Sequence, residues 1–315
     1  MAVNLLRRIG IFILTAFVAS ILVFLLLSVV PGDPARAQLG TDASQAEVDA
    51  LQQRLGLNRP VPLRYLLWLG GLLHGDLGTS FVTRQSVTPE VMNALQVSLL
   101  LVVAGMLVAV IIAIPLGTMS AMRQGRADGV VLSALSQIGI SIPNFLMALL
   151  LVVVLAVRWG VAPASGWVAP AISPGGFLAH LILPALALGI VRGAILSRYT
   201  RSAVLDIQRD DFMRTARAKG LTSGRALWRH GLRNALIPVV TVTGVEFSGL
   251  LVGAVVIETV FVIPGLGSLL LQSVANRDMA EVQAVVMVIV FMVLLINLLV
   301  DLAYTIIDPR LRSAR

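Results

Sequence analysis

The sequence predicts an all-α integral membrane protein with six transmembrane helices, on three observations. Mean hydropathy is +0.93 and 57% of the 315 residues are hydrophobic, too apolar for a soluble globular chain. The apolar runs exceed the ~18 residues that mark spanning helices. They lack the alternation that barrel strands of about ten residues would show.

The first span is Ile9 to Val30, behind Arg7 and Arg8. Ala35-Arg36-Ala37 mimics a peptidase site, but the run is too long for a signal core and Pro31 and Pro34 disfavour an extended site, so an uncleaved span is expected. Residues 31–94 form a polar extracytoplasmic region with five basic residues against six acidic ones. In it, Ser44 and Glu47 have capping-box spacing ahead of a helix with Val48, Leu51 and Leu55 on one face, ended by Gly56 and Pro60. Leu63 to Leu73, with Tyr65 and Trp68, resembles an interfacial helix, and GDLGTS (Gly75–Ser80) reads as a turn-rich loop. A region this long suits a cap facing a delivery protein; the plainer reading is a passive linker.

Leu95 to Met122 is the second span, with kinks expected at Pro115 and Gly117. Val131 to Val157 is the third, interrupted by Ser141-Ile142-Pro143-Asn144, and Arg158 to Gly176 is a Pro/Gly-rich outward loop. Phe177 to Ser197 is the fourth, with Arg192 expected to snorkel toward the cytoplasmic boundary. Ile237 to Ile257, rich in small residues, is the fifth and Val282 to Ile307 the sixth. Sixteen basic residues fall on one set of loops and seven on the other, with Arg192 unassigned. Both termini are therefore expected in the cytoplasm.

The longest basic segment lies between the fourth and fifth spans. Residues 198–233 carry nine Lys/Arg and three carboxylates, Asp206, Asp210 and Asp211, a composition excluded from hydrocarbon. Asp210 or Asp211 can cap a helix through Phe212, Ala216 and Lys219 that stops at Gly220. Thr222 or Ser223 can cap a second, ending near Asn234, with Leu227 and Trp228 as a small apolar stripe among Arg225, Arg229 and Arg233. Periodicity and charge leave two readings open: a partner-docking element, or an ordinary positive-inside loop.

RTARAKGL (Arg214–Leu221) followed by RHGLRNALIPVVT (Arg229–Thr241) resembles the EAA loop of ATP-binding-cassette (ABC) importer permeases, in the variant of the dipeptide, oligopeptide and nickel family. Arg214, Thr215 and Ala216 stand at the Glu-Ala-Ala positions, so the usual Glu is missing, and the motif glycine falls on Gly220. PGDPA from Pro31, GDLGTS from Gly75, IETVFVIPGLG (Ile257–Gly267) and DPRLR (Asp308–Arg312) extend the resemblance along nearly the whole chain.

The resemblance implies a type I ABC importer permease fold of the first permease subunit type. It comprises a transmembrane domain over 95–307, a coupling loop over 198–235 and a cytoplasmic tail over 308–315, in a bacterial cytoplasmic membrane. It implies as partners a second related permease, two cytoplasmic ATPase subunits (or one fused ATPase) holding ATP and magnesium, and an extracytoplasmic substrate-binding protein. The ATPase-coupling residues are then Arg214, Thr215, Ala216, Lys219, Gly220, Leu221, Leu227, Trp228 and Arg229.

Other chemistry finds little support. Lys219, the only lysine, precedes Gly and Leu, so there is no phosphate-binding Gly-x-x-x-x-Gly-Lys-Ser/Thr loop and an ATPase must come from another chain. His74, His180 and His230 are dispersed and no HExxH occurs, so neither a metal site nor another cofactor site is expected; there are no cysteines. The positive charge lacks an aromatic ladder, which argues against nucleic acid. Glu246 is the intramembrane ionisable candidate, with Gly249 and Gly253 beside it. It can line a solvated pathway and meet a peptide amino group, or be a hydrogen-bonded carboxyl at a helix interface. Asn297 and Asp301 read as structural.

The function expected is the permease half of an ATP-driven importer for dipeptides or oligopeptides, with nickel chelates or haem as alternative cargo. An ion-coupled secondary transporter would need coordinating groups and usually an inverted repeat. A membrane-embedded enzyme would need a nucleophile, base or metal constellation.

Overall fold

A computed structural model describes residues 2–29, 34–39 and 43–307. DPRLR and the first part of PGDPA lie outside the described residues. Thirteen α-helices account for most of what is described. Five are long and apolar enough to cross a membrane, or six if one bent pair counts as a single span. The chain forms two compact units, one of 1–97 with 264–295 and the other of 98–263 with 296–315.

In the first unit, α1 (Ala2–Val29) buries Ser20, Val23 and Phe24. The short α2 (Pro34–Leu39) and α3 (Gln45–Arg54) pair through Ala35, Val48 and Leu51, with Leu55 alongside. The capping box is present: Glu47 N–H donates to Ser44 Oγ, and the Ser44 backbone N–H donates to Glu47 Oε2 at 2.9 Å. The hydrogen bonds from the Ser44 side chain, then its backbone, hold the Glu47 carboxyl below its ordinary value. The cap is therefore intact at neutral pH and is lost as pH falls through that lowered value.

Helix α4 (Val61–Leu73) packs against α1. Tyr65 and Trp68 pack on Phe24, and the Tyr65 hydroxyl shares a 2.9 Å hydrogen bond with Ser20. α5 (Thr88–Met122) begins seven residues before the expected span. Pro89 and Glu90 suit a helix start, and Val91 and Ala94 are held by packing that hydropathy does not register. They meet α12 (Leu266–Ala275) and α13 (Met279–Ile307) at Leu266, Leu269, Ala284, Val285 and Val288. Sequence reading did not anticipate α12, whose N-cap residue is Gly265 of IETVFVIPGLG.

In the second unit the third span is broken. α6 (Ala127–Ser141) and α7 (Asn144–Leu151) meet at 104°, and α7 runs into a π-helical stretch, Val152–Arg158. Ile142, ahead of Pro143, is held extended, which stops α6. α8 (Pro174–Gln208), with Ser173 as its N-cap, is the buried centre of this unit and packs on α6 and α7.

Close approach of α5 and α8 depends on Gly189 and Gly193, spaced as G-x-x-x-G. A Cβ at 189 would lie 2.4 Å from Val108 Cγ1, and one at 193 would lie 3.0 Å from the Ala109 carbonyl. α8 continues eleven residues past the expected end of its span, so the first third of the basic segment is helix rather than loop. α11 (Leu232–Phe261) packs on α8 along much of its length and keeps Pro238 inside the helix. The loop after the π-helix is tied back by Gly166 N–H donating to the Phe261 carbonyl at 2.8 Å.

Candidate functional site

The basic segment is built from the two ends of long helices and one short helix. α9 (Asp211–Ala218) follows Asp210, which takes the N-cap position without a side-chain hydrogen bond. Its C-terminal end is a Schellman motif. Gly220 N–H donates to the Arg217 carbonyl at 2.9 Å and Leu221 N–H to the Ala216 carbonyl at 3.3 Å. Gly220 has φ +91°, a conformation that L side chains rarely adopt. Thr222 caps the one-turn α10 (Ser223–Ala226), its hydroxyl accepting from Arg225 N–H.

The expected second helix does not end near Asn234. α10 passes through a π-helical turn, Leu227–Gly231, into α11, and Pro238 removes only one hydrogen-bond donor from a helix packed against α8. The expected apolar stripe is also divided. Leu227 is fully buried with Met213, Ala216, Ala226 and Val204, and Leu221 packs alongside. Trp228 is 67% exposed. Arg214, Thr215, Lys219, Gly220 and Arg229 are exposed as well. Of the nine coupling candidates, Ala216, Leu221 and Leu227 hold the segment to its own chain, and the other six form its outer face.

The second constellation joins residues far apart in sequence. Arg192 Nη1 on α8 donates to Glu246 Oε2 on α11 at 2.7 Å, and Nη2 donates to the Gly249 carbonyl at 3.2 Å. Both side chains are about one-fifth exposed. Arg192 therefore does not snorkel; a carboxylate within the same unit and the Gly249 carbonyl, approachable because Gly249 has no Cβ, receive it. A Cβ at Gly249 would come 3.3 Å from Nη1, and one at Gly253 would come 3.0 Å from Asn144 Nδ2. Glu246, Gly249 and Gly253 thus share a helix face that makes room for Arg192 and for Asn144 at the bend between α6 and α7. Glu246 already has a cation, and it comes from this chain. Asn297 is structural, accepting from the Ser248 hydroxyl at 2.9 Å.

Of the buried carboxylates that escaped the sequence reading as site residues, two are almost fully enclosed. Glu258, in IETVFVIPGLG, is 1% exposed and accepts from the Ser98 hydroxyl at 2.5 Å. Asp278, also 1% exposed, accepts from the Ser80 hydroxyl and from the backbone N–H groups of Phe81 and Val82. It pins the loop that follows GDLGTS. The signal was available in the quoted motifs, but its partner lies almost two hundred residues away. Asp278→Ala would orphan the Phe81 and Glu281 backbone donors and the Ser80 hydroxyl, at about 1–3 kcal/mol for each group that stays buried, while Val82 N–H keeps Ser80 Oγ as an acceptor. Hydrogen exchange at Phe81 and Glu281 is expected to rise well above that of the wild type, while exchange in α8 stays unchanged.

Helices long and apolar enough to cross a membrane carry both constellations, the exposed basic segment and the Arg192–Glu246 pair. The chain belongs to the family of binding-protein-dependent transport system inner membrane components, which it matches over residues 113–313, with the family's N-terminal region matched over residues 1–102. It is 40% identical to the glutathione transport system permease protein GsiC of Pectobacterium atrosepticum, covering 95% of each chain. It is 37% identical to the dipeptide transport system permease protein DppB of Escherichia coli, covering 99% of each. Among solved structures it resembles an amino acid ABC transporter chain, with TM-score 0.54 and 18% identity over 69% of this chain and 94% of that one, a likeness of fold.

Proposed function

We infer that this chain is one of two permease subunits of an ATP-driven importer for dipeptides and short oligopeptides. The observation that carries the reading is similarity along the full length to permeases named for dipeptide and glutathione transport. Substrate arrives from an extracytoplasmic binding protein and crosses between this chain and a related permease. Energy comes from ATP and magnesium on two cytoplasmic ATPase subunits, since this chain carries no phosphate-binding loop.

Both termini and the 198–235 segment face the cytoplasm, as the sixteen-to-seven distribution of basic residues favours. Within that segment Arg214, Thr215, Lys219, Gly220, Trp228 and Arg229 meet the ATPase, and Ala216, Leu221 and Leu227 transmit its movement to α8 and α11. The α8–α11 frame then carries the movement to the Arg192–Glu246 pair, beside the pathway that Glu246, Gly249 and Gly253 line.

The test is uptake of a labelled dipeptide by cells lacking the chain and complemented with it, together with recovery of its partners from the membrane in mild detergent. Uptake that needs the chain and an ATPase subunit, with both permeases recovered together, is the expected result. Uptake that persists without any ATPase subunit would transfer the chain to ion-coupled transport.

A further inference from the structure

A second polar site lies in the same unit, where the end of α5, the second half of α6 and the part of α8 that enters the basic segment meet. Ser120, Ser133, Ser136, Gln137, Ser197, Arg198 and Arg201, with Ile140 at the edge, line a cavity of about 250 Å³. Its wall of hydroxyls is largely occupied with itself. Ser133 donates to the Gly129 carbonyl and shares a 2.8 Å hydrogen bond with Ser120; Ser136 donates to the Leu132 carbonyl; Ser197 donates to Ser136 Oγ or to the Ala194 carbonyl, each at 2.8 Å.

The free donors are therefore nitrogen. Arg201 Nε is buried with no hydrogen-bond partner. Arg198 lies over the Tyr199 ring, and no carboxylate among the described residues pairs with either guanidinium. The Gln137 side chain adds an amide, and the Ser120 proton can turn from Ser133 into the cavity.

We propose that this cavity binds a phosphate-type oxyanion, held by the forked N–H groups of Arg198 and Arg201 and by the Gln137 amide. Two guanidinium groups without a counter-charge beside a hydroxyl floor match the geometry of a tetrahedral anion with several acceptor oxygens. A purely apolar occupant would leave Arg201 Nε unpaired and add to the cost of its burial. The cavity lies beside the most basic segment, and basic pockets between helices recognise lipid phosphates. Free phosphate presents the same chemistry. The bound anion would tie α5 and α6 to the part of α8 that leads into α9.

The experiment uses the assembled transporter in nanodiscs of phosphatidylcholine, with and without phosphatidylglycerol, and reads lipid retention by native mass spectrometry. It also reads the melting temperature with and without inorganic phosphate in the neutral discs. R198Q/R201Q removes the forks, and R209Q removes one charge from an exposed position outside the cavity. Retention of phosphatidylglycerol by the wild type and R209Q, reduced about tenfold in the double variant, is the expected result and names the lipid. A phosphate-dependent rise in melting temperature, absent in the double variant and without lipid discrimination, supports the site with free phosphate as its ligand. Equal behaviour of wild type and double variant toward both anions overturns the proposal, as does a partner-subunit carboxylate found crosslinked into the cavity. Should the double variant fail to assemble, Gln137→Trp, which fills the cavity from an exposed position while keeping both arginines, is read by the same criteria.

Discussion

Glu246→Ala is expected to destabilise the second unit by about 3–5 kcal/mol, because it leaves Arg192 charged and mostly buried with no carboxylate to meet it. Arg192→Ala should cost a similar amount through the abandoned carboxylate. Removing both charges in R192M/E246L should recover most of the loss, since a well-packed apolar pair of similar volume is often no worse than a buried ion pair. Arg192→Lys should not rescue the site: a lysine lacks the fork that reaches both Glu246 and the Gly249 carbonyl. The measurement is the thermal midpoint of the purified complex, followed by size exclusion, for the two single variants and the double. Single-variant losses that simply add in the double would show that the two side chains do not depend on each other.

The same double variant separates two roles for the pair. If it folds and takes up dipeptide as the wild type does, the charges serve helix packing alone. If it folds and uptake falls, the charges act on what passes beside Gly249 and Gly253. Position alone does not decide between these roles, because an ion pair in a span can hold two helices in register and also face solvent on one side.

How much of this was legible in the sequence depended on the range of the interaction. The Ser44–Glu47 cap and the Gly220 stop are local: each is completed by groups within a few residues of itself, so the residue types and spacing suffice. The broken third span was also readable, since Pro143 constrains its own neighbour. The Arg192–Glu246 pair spans 54 residues, and no periodicity in either helix reports the other. Arg192 was therefore expected to reach for the boundary and Glu246 was left without a cation. Asp278 and Ser80 present the same difficulty over a longer separation.

Helix ends misled in another way. Hydropathy marks where a helix leaves hydrocarbon, whereas α5 and α8 continue into polar sequence because packing at Val91 and Ala94, and at Thr200 and Val204, still holds them. A third kind of failure concerns phase. The π-helical turn over Leu227–Gly231 inserts an extra residue into the helical cycle, so a face read at 3.6 residues per turn points in the wrong direction beyond it.

Leu227 and Trp228, adjacent in sequence and so about 100° apart around the helix, differ in consequence. Leu227→Ala empties a fully buried position among Met213, Ala216 and Val204 and is expected to cost about 2–5 kcal/mol of stability through lost burial and the cavity left behind. Trp228→Ala removes a side chain that touches little of its own chain, so the permease should keep its thermal midpoint to within about 0.5 kcal/mol. On the proposed function its effect falls on the partner: a large aromatic among Arg214, Lys219 and Arg229 has the composition of a binding hot spot, and losing one weakens association by about 2 kcal/mol or more, roughly thirtyfold. ATPase subunits should then dissociate from the W228A complex at concentrations where the wild type stays assembled, and dipeptide uptake should fall with them. Retention of the ATPase by W228A, with normal uptake, would move the docking surface away from the α10–α11 junction and leave α9, with Arg214 and Lys219, as the element to be tested.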